Sequence, residues 1–244
     1  MSPDSVTVVL PTFNERENIG AVTAAVLDHG YRVLIVDDGS PDGTGEIADD
    51  LSHRHERVQV LHREEKQGLG RAYQEGFERA LAEGAEVIIE MDADFSHDPA
   101  DLPRLVDAIA AGADVAIGSR YVPGGSTPDW PFYRRAISRG GNLYARRMLG
   151  TQIRDMTAGF RAFRRGALEQ LPFERAQASG YGFQVELAWH AHVGGLTVEE
   201  VPVVFRDRVR GTSKMGVSIV AEAMWLVTKW GLGRIVGRLR SPDR

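Results

Sequence analysis

Five short apolar runs, each closed by a polar turn and most followed by a helix-like stretch, restrict this chain more than any other feature. Val6–Leu10, Tyr31–Val36, Val58–Leu61, Val87–Met91 and Asp114–Ser119 read as strands. Helices are expected from about Arg16 to His29, Gly45 to His53, Gly68-Leu69-Gly70 through Ala82, and Ala100 to Ala111. Strands alternating with helices at this spacing require βαβ units, a largely parallel sheet and right-handed crossovers. Runs rich in Val and Ile suit strands covered on both faces. Ligands of such sheets gather at the carboxyl ends of the strands. The residues just beyond each run are therefore the first functional candidates.

Val87–Met91 ends in Asp92-Ala93-Asp94, followed by Phe95-Ser96-His97-Asp98-Pro99. Residues i and i+2 of a strand face the same side, so the two carboxylates can converge. Converging carboxylates repel unless a positive charge lies between them. A hard divalent cation that keeps some waters and holds substrate phosphates would resolve the conflict. On this motif alone, a pair of solvated loop acids remains the other reading. The first two strand ends are acidic as well. Pro11-Thr12-Phe13-Asn14-Glu15 follows one, and Asp37-Asp38-Gly39-Ser40-Pro41-Asp42-Gly43-Thr44 follows the other. Three acidic tips on one edge suit a ligand with many donors, such as the ribose and base of a nucleotide sugar. Asp38 is read as ligand-binding and Asp42 as a helix cap, and Asn14 is predicted to cap the first helix. Gly68-Leu69-Gly70 is a poor dinucleotide fingerprint, because it follows the third strand and Tyr73 stands at the third glycine position.

After Ser119 the rhythm breaks. Arg120–Pro131 is rich in Gly and Pro and reads as a functional loop, a mobile lid by its composition. A basic helix is expected from Tyr133 to Leu149, strands at Gly159–Arg164 and Thr197–Phe205, and a helix at Phe183–His192. Arg120, Arg134, Arg139, Arg208, Arg210 and Lys214 all fall in this half. Arginine is suited to bidentate phosphate recognition. A basic cluster facing a metal-bound diphosphate would take a second, anionic substrate. Arg146 and Arg147 are expected to face water, and His53, His55, His62, His190 and His192 show no metal-ligand pattern. Val217–Arg240 carries Trp225, Lys229, Trp230, Arg234, Arg238 and Arg240. Such a segment reads either as an interfacial helix or as one packed on the body.

The net charge of −5 over 244 residues argues against a nucleic-acid partner. The absence of Cys excludes disulfides and Cys-based zinc sites. No signal-peptide pattern is expected at the start, and no stretch has the uninterrupted apolar length of a transmembrane helix.

Taken together, Pro11–Glu15, Val36–Thr44, Gly68–Gly70, Met91–Asp94 and Gly118-Ser119-Arg120-Tyr121 resemble the inverting glycosyltransferases of family 2, with the GT-A fold. Trp130–Arg135 with Ser138-Arg139-Gly140, and Arg208–Lys214, are similar to the dolichol- or polyprenol-phosphate mannose synthases. The resemblance runs from about Val6 to Lys214. It implies an α/β, Rossmann-like GT-A domain over residues 1–214, with residues 215–244 as a C-terminal amphipathic, membrane-interfacial helical segment. The implied reaction moves mannose from GDP-mannose to a polyprenyl phosphate with inversion and requires Mg²⁺ or Mn²⁺. Pro11, Thr12, Glu15, Asp38, Asp92, Ala93, Arg208 and Lys214 would bind the donor. Arg120, Arg134 and Ser138 would meet the acceptor phosphate. Asp92, Asp94 and Ser96 would hold the metal, and Asp94, Arg120 and Arg134 would serve catalysis. Where the family often has Gln two residues beyond the second aspartate, this chain has Ser96, which puts that ligand position in question. The implied setting is the cytoplasmic face of the cell membrane, bound peripherally or through a separate anchor protein. Transfer from a UDP-sugar is the neighbouring reading. A nucleotidyltransferase is a more distant one, and it would need a Gly-rich basic loop where Pro11–Glu15 stands.

Overall fold

The Val- and Ile-rich runs form β1 (Val6–Thr12), β2 (Arg32–Asp37), β3 (Val58–His62), β4 (Val87–Glu90) and β5 (Val115–Ser119). Interleaved with them are α1 (Ile19–Leu27), α2 (Thr44–Arg54), α3 (Leu69–Ala82) and α4 (Leu102–Ala110). Then come α5 (Phe132–Leu149), β6 (Arg161–Arg164), the single turn α6 (Arg165–Leu168), α7 (Tyr181–Val193), β7 (Val198–Pro202) and α8 (Val217–Arg240). The computed structural model describes residues 2–176, 181–207 and 217–240. The described strands form a seven-stranded sheet in the order β3-β2-β1-β4-β6-β5-β7. All neighbouring pairs are parallel except that β6 runs antiparallel to both β4 and β5. The expected parallel α/β sheet is present, with one reversed strand inserted into it.

Alternate residues of each strand enter opposite cores, as a period of two dictates. Val8, Leu10, Ile35 and Ile89 pack with Ile19 and Val22 of α1 and Leu102 and Leu105 of α4. Val9, Leu34, Val36 and Ile88 pack with Tyr73 and Phe77 of α3, Phe183 of α7, Leu149 of α5 and Val227 of α8. Each such side chain contributes about 1.5–3 kcal/mol through burial. Gly76 allows α3 to lie directly on β1, since a Cβ there would stand 2.5 Å from Val9 Cγ1.

Three local expectations change. The first helix starts at Ile19, after Asn18, and Asn14 does not cap it. Asn14 is left-handed, with φ of 59°. Its segment is drawn onto the next loop instead: the N–H groups of Asn14, Glu15 and Arg16 donate to Ser40 Oγ, Thr44 Oγ1 and Asp42 Oδ2 at 3.0, 3.0 and 3.2 Å. β7 ends at Pro202, and beyond it a bridge between Ser126 and Val204 continues the pairing. That pairing also changes the view of the Gly/Pro-rich loop. Ser126 N–H donates to Val203 O and Phe205 N–H to Ser126 O, so the loop is laid along this strand and buries Thr127 and Trp130. The tail helix α8 lies along α5, with Tyr144 and Thr228 hydroxyls 2.7 Å apart, yet Trp225 remains 62% exposed.

Candidate active site

The parallel strands deliver three loops to one edge of the sheet, and each treats its acids differently. After β2, Asp37 is spent on local structure: its carboxylate accepts from the Thr12 hydroxyl at 3.1 Å, the Ser40 hydroxyl at 2.6 Å and the Ser40 N–H at 3.1 Å. Thr12, expected to hold nucleotide, thus serves first to fix this turn. Asp42, expected to cap the helix, stands one residue before the N-cap Gly43, and its carboxylate accepts from the N–H and hydroxyl of Thr44, the first residue of α2, at 3.0 and 2.6 Å. Asp38 is buried against Arg63, whose Nε also lies 3.1 Å from Glu75 Oε1. Burial pushes the Asp38 carboxyl up, against the opposing pull of Arg63 and Lys66. The Lys66 ammonium sits 4.0 Å over the Phe13 ring. Pro11 and Glu15 complete this end, both half-buried, and Glu15 Oε2 accepts from Asn18 Nδ2 at 3.0 Å.

The loop after β4 is a closed turn. Asp92 N–H donates to His97 Nδ1 at 3.1 Å, and Ser96 N–H donates to Asp94 Oδ1 at 3.0 Å. Phe95 between them is left-handed, with φ of 61°, a conformation that non-glycine residues rarely adopt. Ala93, Asp94, Ser96 and His97 are buried and Asp92 is half-buried. Burial holds the His97 imidazole down at about 4, so the ring is neutral at physiological pH. Burial, reinforced by the charges of Asp92, Glu90 and Asp94, pushes the Tyr73 phenol upward.

The donor set fits a hard divalent cation. Asp92 and Asp94 supply carboxylates, and the buried Ser96 hydroxyl has no hydrogen-bond partner. Among the described residues no group of three or more His, Asp or Glu side chains is arranged to hold a metal. Two carboxylates and a hydroxyl suit an ion that completes its shell with water and substrate phosphate.

On the other side of this turn, the arginines are organised by aromatic rings and buried acids. Arg120 is buried and grips Asp155 with Nε and Nη2 at 2.7 and 2.6 Å, while its Nη2 also reaches Thr157 at 2.8 Å. Arg120 charge draws the Asp155 carboxyl below its usual range despite complete burial. This alters the expectation for Arg120 as a direct phosphate ligand: its guanidinium is first an interior partner that fixes the loop 155–157. Arg134 stacks 4.0 Å over Trp130 and donates to Asp207 Oδ1 at 2.7 Å. Ser138 Oγ accepts from the Tyr121 hydroxyl at 2.5 Å. Arg120, Tyr121, Trp130, Arg134 and Ser138 are thereby brought to one patch. Arg208 and Lys214, and Arg210 with them, lie outside the described residues.

Sequence reasoning missed His97, Arg63, Asp155 and the pair Glu90–Arg161. The last had a signal, because each charge interrupts an otherwise buried strand, and a buried charge needs a partner. Glu90 and Arg161 are fully buried, 3.5 Å apart, with Gln184 Nε2 donating to Glu90 at 3.1 Å. Burial raises the Glu90 carboxyl to about 7, and Arg161 works against that shift.

Comparison with known proteins matches residues 7–172 to the family described as Glycosyl transferase family 2. Over 241 residues the chain is 48% identical to the polyprenol monophosphomannose synthase of Mycolicibacterium smegmatis, covering 97% of this chain and 91% of that protein. It is 46% identical to the undecaprenyl-phosphate mannosyltransferase of Micrococcus luteus, covering 93% of this chain and 94% of the relative. Among solved structures, glucosyl-3-phosphoglycerate synthase from Mycobacterium tuberculosis shares the fold, with a TM-score of 0.66 and 22% identity over 94% of this chain and 79% of that one.

Proposed function

The chain belongs to glycosyl transferase family 2, and from that premise we propose that it transfers mannose from GDP-mannose to a polyprenyl phosphate, with inversion at the anomeric carbon. The acceptor class is the one in the relatives' names. The observation that carries the reading is the neighbourhood of two unlike charged regions: the Asp92–Asp94 turn on one side of His97, and Arg120 with its aromatic and arginine neighbours on the other.

The chemistry needs both. A lipid phosphate is already an anionic nucleophile and requires no strong general base. Its difficulty is approach to a second anion. A Mg²⁺ or Mn²⁺ ion held by Asp92, Asp94 and Ser96 would supply charge for the diphosphate leaving group. Arg134 with Ser138 and Tyr121 orients the acceptor phosphate, while Arg120 fixes the floor of that patch through Asp155. Asp38, with Arg63 and Lys66 beside it, receives the nucleoside end of the donor. Pro11, Thr12 and Glu15 shape the same end, and Arg208 and Lys214 add positive charge toward the phosphates. In this reading residues 1–214 carry catalysis and 215–244 form a helical segment at the membrane face.

Among the described residues no helix is long and apolar enough to cross a membrane. In this reading the acceptor is met at the cytoplasmic face of the cell membrane. The outer face of α5 suits that contact: Phe132, Tyr133 and Ile137 are 77%, 67% and 64% exposed, next to the exposed Arg139. Apolar side chains flanked by arginines are what an interfacial helix presents to lipid, and Trp225 of α8 adds to it.

The test is transfer onto a short polyprenyl phosphate from GDP-mannose or UDP-glucose, with and without Mg²⁺ or Mn²⁺. Metal-dependent mannose transfer supports the reading, and transfer from the UDP-sugar alone moves the donor specificity. Failure with both, by folded protein, overturns the acceptor assignment.

A further inference from the structure

His97 lies at the join between the two charged regions and has no part in the reaction as described so far. Its ring is buried, stacked on Phe160 at 5.0 Å between centroids with 15° between planes. The edge of Phe205 closes a second side at 5.5 Å and 74°. Phe205 in turn meets Trp130 at 5.4 Å, the ring over which Arg134 stacks. The ring is therefore fixed in place by carbon contacts, and its polar edge is aimed. Nδ1 accepts the Asp92 N–H at 3.1 Å. That requires the tautomer with its proton on Nε2, since a nitrogen that accepts cannot carry hydrogen.

This bond closes the turn from residue 92 to residue 97, which contains the left-handed Phe95. Such a backbone persists only where its surroundings over-determine it. A second internal tie, Ser96 N–H to Asp94 Oδ1, uses a carboxylate oxygen that a bound cation would also draw on. The tie to His97 uses no oxygen of either aspartate. We propose that His97 is a positioning residue whose Nδ1 clasps the Asp92 amide and thereby sets the spacing of the Asp92 and Asp94 carboxylates for a divalent cation and the donor diphosphate. The same ring walls off Phe205, beside which Arg206 N–H donates to Ser96 O at 3.3 Å. The clasp thus ties the diphosphate turn to the segment that leads into the basic loop. The inference rests on the donor reading above.

Two variants separate the clasp from simple packing. His97→Phe keeps an aromatic ring between Phe160 and Phe205 but has no acceptor. His97→Asn loses the ring but places an amide oxygen close to where Nδ1 stands. Three readouts are compared for both variants and the parent: hydrogen exchange of the Asp92 amide without ligand, calorimetric binding of GDP and of UDP with and without Mn²⁺, and kcat and KM for donor and acceptor. His97→Phe is expected to expose the Asp92 amide to exchange and to weaken Mn²⁺-dependent nucleotide binding and donor kcat/KM by about ten- to a hundredfold, the usual effect of losing an outer partner of a metal site. Acceptor KM and metal-free nucleotide binding stay near the parent values. His97→Asn is expected to restore most of the amide protection and nucleotide affinity. The proposal is overturned if His97→Phe keeps parent-level exchange and binding. It is equally overturned if His97→Asn is the worse variant in step with thermal stability, because packing alone would then explain the residue. A parent that binds UDP rather than GDP would overturn the donor assignment, while the exchange result would still judge the clasp.

Discussion

On the β1–β2 side of the sheet edge, polar groups are held by close sequence neighbours or by the adjoining loop. Ser40 bonds Asp37 three residues away, and Thr44 bonds Asp42 two residues away. On the β5–α5 side the partners are distant: Arg120 with Asp155 across 35 residues, Arg134 with Asp207 across 73. Gln184 reaches Glu90 across 94 residues, beneath the paired aspartates. Apart from the buried Asp38–Arg63 pair, the first arrangement makes turns whose members can be changed one at a time. In the second, Arg120–Asp155 and Glu90 with Gln184 are buried, so removing one member strands the other without water, while Arg134–Asp207 stays partly exposed. The loops proposed to hold the donor are thus built mostly by local chemistry, and the patch proposed for the acceptor is built only when the whole sheet is in place.

That contrast can be broken or sharpened by substitution. The largest loss of stability is expected from Asp155→Asn, which leaves Arg120 buried without a counter-charge and should cost about 3–5 kcal/mol in denaturant unfolding. Its pH signature follows from the depressed carboxyl. The unfolded chain takes up that proton first, so the stabilisation is complete above the ordinary Asp range and is lost as pH falls below it. The variant's acid unfolding profile should therefore lack that part of the slope. Next, Asp94→Asn should lower transfer by about 10²–10³-fold, read as kcat, with far less change in unfolding than Asp155→Asn. Ser40→Ala, which removes the hydroxyl that donates to the Asp37 carboxylate and accepts the Asn14 N–H, is expected to cost about 1–2 kcal/mol. The smallest effect belongs to Asp50→Ala: its exposed i,i+4 pair with Arg54 should be worth about 0.5 kcal/mol or less by thermal melting. If Ser40→Ala proved as costly as Asp155→Asn, the distinction between the two sides would fail.

The same division explains what could be read from sequence. The apolar runs and their turn residues mark β1 to β5 and α1 to α4 because those signals lie within a few residues of one another. The tips carrying Asp38, Asp92 and Asp94 follow from strand ends. The sequence reading also marked Gly159–Arg164 as a strand, but its antiparallel place between β4 and β5 depends on tertiary pairing and leaves no periodic trace. Arg120 looked like a phosphate ligand because Asp155 lies far along the chain. His97 was passed over because a lone histidine gains meaning only from Phe160 and Phe205, which converge on it through the fold. The Asn14 cap failed for a related reason: bonds from the Asn14, Glu15 and Arg16 amides to the neighbouring loop outweighed a local preference.

The position of β6 has a consequence for how the polypeptide comes into being. A chain emerging from the ribosome has β1, β2, β3 and β4 available once Glu90 has been made, and these four pair only with one another on that side. β5 follows, but its partners are β6 and β7, so it waits with Val115 and Ile117 unsheltered until Arg164 and then Pro202 have been added. During that interval the free edge of β4 is also open to whatever strand arrives first. Synthesis order alone thus lets β1 to β4 pair early, while β5 must wait for its partners β6 and β7. A stalled nascent chain that ends between β5 and β6 is the species most exposed to misassociation.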